Sequence, residues 1–117
     1  MAVTVLLVDD DAAFRERIRA VLAERGYDVV GEAGTLAEAR AAVAELSPEA
    51  MLLDVNLPDG NGIRFAGELS AASDAPRIVL TSNDPGAVPA RLVARSGATG
   101  FFAKTDLIVA DLTPHLG

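Results

Sequence analysis

The chain contains no cysteine, which removes a disulfide framework, a thiolate metal site and a cysteine nucleophile together. Its one histidine, His115, lies far in sequence from every acid considered below. Zinc therefore lacks its usual donors, and His115 is expected on the surface. Basic residues are few, ten Lys and Arg against seventeen Asp and Glu for a net charge of −7. They form no run that could neutralise consecutive phosphates, so direct nucleic-acid binding by this chain is disfavoured. No apolar run is long enough to span a membrane. The opening segment up to Val8 lacks a basic region and runs into Asp9-Asp10-Asp11, which argues against a signal peptide and makes the cytoplasm the expected location. No fixed-period repeat suggests a solenoid. Ten Gly and six Pro are scattered and 50% of residues are apolar, so disorder and low complexity are excluded. The length, 117 residues, suits one domain over residues 1–117 around one core.

The apolar pattern alternates between strand and helix. Val3 to Val8 reads as a strand buried on both faces. Phe14, Ile18, Val21 and Leu22 form a helical stripe between Asp11 and Arg25, stopped by Gly26. Tyr27 to Gly31 is a second strand, and Thr35-Leu36-Ala37-Glu38 has capping-box spacing before a helix that ends near Leu46. Ala50 to Leu53 is a strand ending at Asp54. The turn-rich Leu57-Pro58-Asp59-Gly60-Asn61-Gly62 precedes a third helix to about Ala71. Arg77 to Leu80 is a fourth strand, followed by Thr81-Ser82-Asn83. Pro85, Gly86 and Pro89 delay the fourth helix to roughly Val88–Ser96. Thr99 to Ala103 is a fifth strand ending at Lys104, and Ile108, Leu112 and Leu116 continue a last helical stripe that Pro114 weakens, so the final helix is expected to be short or bent. Five apolar strands alternating with five helices predict an α/β, doubly wound, five-stranded parallel sheet.

In such sheets ligands bind outside the carboxyl ends of the strands. Those ends carry Asp9 and Asp10, Asp54, Thr81 and Lys104. Singly, each has an ordinary reading: Asp10 or Asp11 as a helix cap, Asp54 as a loop acid, Thr81 as a strand terminator, Lys104 as a solvated charge. Together, three carboxylates on one rim repel and raise one another's pKa unless a cation or the lysine compensates. A hard metal suits them, and Mg²⁺ takes a few oxygens plus water and phosphate. A carboxylate beside Mg²⁺, a hydroxyl and an ammonium best serves phosphoryl transfer, with Asp54 as nucleophile forming an acyl phosphate.

Four motifs in order, Val8-Asp9-Asp10, Leu53-Asp54-Val55-Asn56-Leu57-Pro58-Asp59-Gly60, Leu80-Thr81-Ser82 and Phe102-Ala103-Lys104, resemble the receiver domains of two-component response regulators, the CheY-like superfamily. The likeness covers the whole chain and implies a flavodoxin-like strand order of 2-1-3-4-5. It implies that Asp10 and Asp54 ligate Mg²⁺ directly, that Asp9 acts largely through water, and that the Asn56 backbone carbonyl completes the protein's share. It further implies that Asp54 takes a phosphoryl group from a histidine kinase or phosphotransfer protein. Thr81 and Lys104 would bind the phosphoryl oxygens, and Thr81 would move in concert with the aromatic residue at Phe101. That change would be read by an output partner on the face of the fourth helix, fifth strand and fifth helix. Such a domain is not an enzyme beyond its own phosphorylation and dephosphorylation.

Three departures stand out. Phe101 lacks the hydroxyl of the commoner tyrosine, so its rotamers differ in apolar contact alone. Lys104 is followed by Thr105 where many members have proline, so a trans bond is expected there; Lys104-Thr105-Asp106-Leu107 resembles regulators whose receivers precede a helix-turn-helix output, though no output domain is expected within these residues. The Pro85–Pro89 stretch is unusual. Alternative readings are a phosphorylation-independent pseudo-receiver that binds a partner, and a haloacid-dehalogenase-like phosphohydrolase using Asp9-x-Asp11 with Asp9 as nucleophile. A flavodoxin-like cofactor carrier is disfavoured, because three aspartates would repel its phosphate.

Overall fold

Side-chain alternation in the first strand settles the layering. In β1 (Thr4–Val8) Val5 and Leu7 point to one face and Leu6 and Val8 to the other, and all four are at most 1% exposed. The third strand, β3 (Ala50–Asp54), repeats this: Met51 and Leu53 join Leu6 and Val8, while Ala50 and Leu52 join Val5 and Leu7. Strands with no polar face need helices on both sides, the usual setting of a parallel sheet.

The computed structural model, which describes residues 2–117, has that arrangement. With β2 (Asp28–Ala33), β4 (Arg77–Ser82) and β5 (Gly100–Ala103), the five strands pair in parallel in the order β2-β1-β3-β4-β5. One face is covered by α1 (Ala12–Glu24), through Ile18 and Leu22, and by α5 (Thr113–Leu116), through Leu116. The other is covered by α2 (Leu36–Leu46), α3 (Gly62–Ser70) and α4 (Ala90–Arg95), with Ala39, Phe65, Ala66 and Val93 packed against it. No helix of the described residues is long and apolar enough to cross a membrane.

Local chemistry explains most boundaries. Asp11 caps α1 by accepting from the Phe14 amide at 3.2 Å, and Gly26, at φ 88°, turns the chain after it. Thr35 caps α2 from its side chain at 3.1 Å, but Glu38 reaches back to the Gly34 amide at 2.8 Å rather than to Thr35. Two further α2 amides, Leu36 and Ala37, donate to the Asp59 carboxylate at 2.7 and 3.0 Å. The loop after β3 is thereby tied to the start of α2, by a residue that the sequence marks only as part of a turn.

The second half departs from expectation in two places. The fourth helix begins at Ala90 rather than Val88: Val88 is extended, as a residue before proline prefers, Pro89 is the N-cap, and Pro85–Ala87 forms a separate 3₁₀ turn. The last stripe is also not one helix. Lys104–Asp106 is a 3₁₀ turn, Leu107 is fully buried while Ile108 is only half-buried, and α5 is a single turn. Pro114 lies in the first turn of α5, where its missing N–H costs nothing, so it starts that helix instead of weakening one. Between the two turns, Arg25 from the end of α1 donates to the carbonyls of Ile108 and Ala110, standing in for helical hydrogen bonds. The loop after β3 also contains a small antiparallel hairpin, Asn56–Leu57 against Gly60–Asn61. No peptide bond among the described residues is cis, which includes the one joining Lys104 and Thr105.

Hydrogen bonds from Leu36 and Ala37 hold the Asp59 carboxyl below its usual pKa of 3.8. Its contribution to stability is therefore complete above 3.8 and is lost as pH falls through the depressed folded value. Asp59→Ala is expected to unfold at lower denaturant than wild type at neutral pH, with the gap closing below that range; urea titrations across pH check this.

Candidate functional site

Backbone pairing places the acidic residues before their side chains matter. The Asp9 amide donates to the Ala33 carbonyl at 2.9 Å, so the chain leaving β1 stays fixed to the end of β2. Asp9 is buried, and its Oδ1 accepts from the Asp11 amide at 2.9 Å. Asp10 is exposed. Across the sheet, Asp54 ends β3 in register with Thr81 on β4, and both are buried. The Val55 amide donates to the Thr81 carbonyl at 3.0 Å, and the Asn56 amide donates to Asp54 Oδ1 at 3.1 Å. The chain then folds back so tightly that a Cβ on Gly62 would lie 2.1 Å from the Asp54 carbonyl oxygen. Only glycine fits there.

Lys104, at the end of β5, closes the cluster. Its Nζ is 2.7 Å from Asp9 Oδ2 and 3.0 Å from Asp54 Oδ2, and it stands 5.0 Å from the centre of the Phe14 ring. Burial pulls the ammonium toward neutrality, but its bonds to Asp9 and Asp54 outweigh this and hold its pKa above 10.5. Asp9 shifts upward from 3.8, chiefly because burial penalises its charge; Lys104 and the Asp11 amide offset this in part, and repulsion from Asp54 is the smallest cause. The mutual carboxylate repulsion expected from the sequence is thus present but secondary to desolvation.

One oxygen from each of Asp9, Asp10 and Asp54 lies within 4.8 Å of the others. Three carboxylates against one ammonium leave an excess of two negative charges. Asp9 Oδ2, although close to the lysine, receives no well-directed hydrogen bond. A buried carboxylate oxygen whose nearest donor is poorly directed, in an all-oxygen cluster open on the Asp10 side, fits a hard divalent cation.

Asp9, Asp10, Asp54, Thr81 and Lys104 therefore converge as the sequence suggests. Asp11 does not join them, since it caps α1, which removes the Asp9-x-Asp11 pairing from the pocket. Phe101 pairs in register with Leu80 and packs half-buried on the α3 and α4 side. His115 is not a free surface residue. Its Nδ1 is 2.7 Å from the Thr99 carbonyl, and its ring meets Phe102 edge-on above Gly100, where a Cβ would clash with it at 2.8 Å. The sequence signals neither Phe14, read only as core stripe, nor the close approach of Gly62, because both depend on contacts across the fold.

A doubly wound sheet with acids, a threonine and a lysine at its carboxyl rim defines the class of the protein. Comparison with known proteins gives the family: residues 5–112 match the response regulator receiver domain, and the chain belongs to that family. It is 42% identical over 106 residues to the DNA-binding transcriptional activator DevR/DosR of Mycobacterium tuberculosis, covering 87% of this chain and 48% of that protein. It is 40% identical over 102 residues to the DNA-binding response regulator MtrA of Mycolicibacterium paratuberculosis, covering 86% and 44%. The chain thus spans about half the length of these curated relatives. Among solved structures it resembles the signal receiver domain of the putative response regulator NarL from Mycobacterium tuberculosis, with TM-score 0.79 and 29% identity over 92% of this chain and 90% of that one.

Because burial raises the Asp9 pKa, its charge opposes folding at neutral pH, and this cost disappears as pH falls through the raised value toward 3.8. In metal-free buffer Asp9→Asn is expected to melt higher than wild type at pH 7, with the difference shrinking in acid; calorimetry against pH checks it. Gly62→Ala is expected to cost about 1–3 kcal/mol through overpacking against the Asp54 carbonyl, measured by urea unfolding.

Proposed function

We propose that this receiver domain accepts a phosphoryl group on Asp54. The observation that carries the reading is the Lys104 ammonium held between Asp54 and Asp9, at 3.0 and 2.7 Å, inside a three-aspartate cluster. A carboxylate oxygen of Asp54 attacks phosphorus in a phosphohistidine of a kinase or phosphotransfer protein. The new O–P bond forms as the P–N bond breaks, and the leaving imidazole keeps the P–N electron pair. Lys104 and Thr81 donate to the phosphoryl oxygens. Asp9, Asp10, Asp54 and the Asn56 backbone carbonyl would hold Mg²⁺, which supplies charge neutralisation to the transferring group. A groove of about 320 Å³ lies beside Lys104, lined by Phe14, Arg17, Asn83 and Thr105.

Signalling follows from the same groups. Thr81 draws toward a phosphorylated Asp54, and Phe101, one register position away on β5, responds. A protein partner reads the change on the α4, β5 and α5 face. The chain acts in the cytoplasm, without contacting nucleic acid or membrane itself. Its role is that of a phosphoacceptor rather than a classical enzyme.

Incubation with acetyl phosphate or phosphoramidate and Mg²⁺, followed by intact mass, is expected to show the gain of one phosphoryl group. Asp54→Asn and chelation by EDTA should each abolish it. No gain in wild type overturns the proposal and leaves a phosphorylation-independent binding module; a gain that survives the substitution overturns Asp54 as the acceptor.

A further inference from the structure

The turn that presents Asp9 and Asp10 is held from outside the pocket by a residue with no part in the chemistry described above. Arg15, in the second turn of α1, donates from its guanidinium to the backbone carbonyl of Asp9. The same guanidinium is fixed through Nε to Glu32 Oε1 on β2, at 3.0 Å, while Glu32 Oε2 is bound by Arg19 at 2.7 Å. The Arg15 side chain is 19% exposed, so this fork lies largely within the packed turn. The Asp9 amide is already committed to Ala33 of β2. The amide of the Asp9 residue and its carbonyl are therefore both anchored to β2, one directly and one through Arg15 and Glu32, and the following residue is Asp10.

We infer that Arg15 is a positioning residue for divalent-cation binding: it fixes the orientation of the Asp9–Asp10 peptide and so presents the Asp10 carboxylate to the pocket. The inference rests on the acidic pocket's being a Mg²⁺ site. Geometry and simple electrostatics predict opposite signs. A guanidinium near three carboxylates repels an incoming dication, so by Coulomb's law alone its removal strengthens Mg²⁺ binding. Loss of a group that orients the ligands weakens it, and outer-shell substitutions of this kind change metal affinity by about ten-fold or more. Lysine keeps the charge but, with one ammonium in place of a planar fork, cannot hold Glu32 and the Asp9 carbonyl in the same geometry.

The test is a Mg²⁺ titration followed by amide chemical shifts at constant ionic strength, on the wild-type chain and the Arg15→Met, Arg15→Lys and Arg19→Met variants. Arg15→Met is expected to raise the Mg²⁺ dissociation constant about ten-fold, and Arg15→Lys to raise it in the same direction. Arg19→Met, which removes a cation that also binds Glu32 but does not touch Asp9, should leave it within about two-fold, as for a surface ion pair. Unchanged or tighter binding in Arg15→Met overturns the inference. If Arg15→Met does not fold, Arg15→Lys decides, because charge alone predicts no change there. Wild-type Mg²⁺ binding with unaltered variants rejects the role of Arg15 only; absence of Mg²⁺ binding in wild type rejects the metal-site reading and this inference with it.

Discussion

One ammonium serves two buried carboxylates, and much of the structure can be understood as what that sharing requires. Lys104 sits 2.7 Å from Asp9 and 3.0 Å from Asp54. Removing the ammonium from such a buried arrangement costs about 3–5 kcal/mol, because the carboxylate charges are left uncompensated. The three groups come from three strands, so their separation depends on sheet register. In a strand a slip of one residue turns every side chain to the opposite face. Here both faces of β1 and β3 are covered, so such a slip would interchange the residues that pack the two layers and spoil the fit of each. The core therefore fixes the register, and the register fixes the distances among the charges.

The ammonium does not neutralise the site. Three carboxylates remain against one cation, and Asp9, buried like Asp54, keeps an oxygen without a well-directed donor. The backbone around the pocket compensates by being tightly specified. The Asp9 amide is bonded to β2, Val55 to β4, Asn56 to the Asp54 carboxylate, and Gly62 lies where no side chain fits. A frustrated charge cluster persists because its frame is over-determined, which is how functional sites hold conformations that stability alone would not select.

The sequence made the frame and the reactive groups legible for different reasons. Uninterrupted apolar runs at Val5–Val8 and Ala50–Leu53 have few interpretations other than central parallel strands, and their ends name Asp9, Asp10 and Asp54 directly. Thr81 and Lys104 follow from the same rule on β4 and β5. Residues that act across the fold were not legible. Asp59 looks like a turn acid until α2 is brought beside it, Phe14 like core until Lys104 stands 5.0 Å from its ring, and Arg15 like a solvated charge until Glu32 holds it. His115 misled because sequence distance from the acids says nothing about packing at the far end of β5. The last stripe misled because Leu107, Leu112 and Leu116 are buried by a path of two short turns that Arg25 supports, which periodicity cannot distinguish from a bent helix.

These differences divide the molecule into a firm half and a marginal one. Around β1 and β3 the backbone is paired on both sides and the side chains are almost fully enclosed. Around β5 the contacts thin out. None of the six residues of α4 is buried, its N-cap makes no side-chain hydrogen bond, β5 is half-buried along its length, and α5 is one turn. Regions with few buried contacts open at lower free-energy cost than the core. Thr81 and Lys104 stand on the boundary, with their strands leading into the marginal half and their side chains at the pocket. A change in charge at Asp54 meets a rigid frame on the side of β1 and a yielding one on the side of β5.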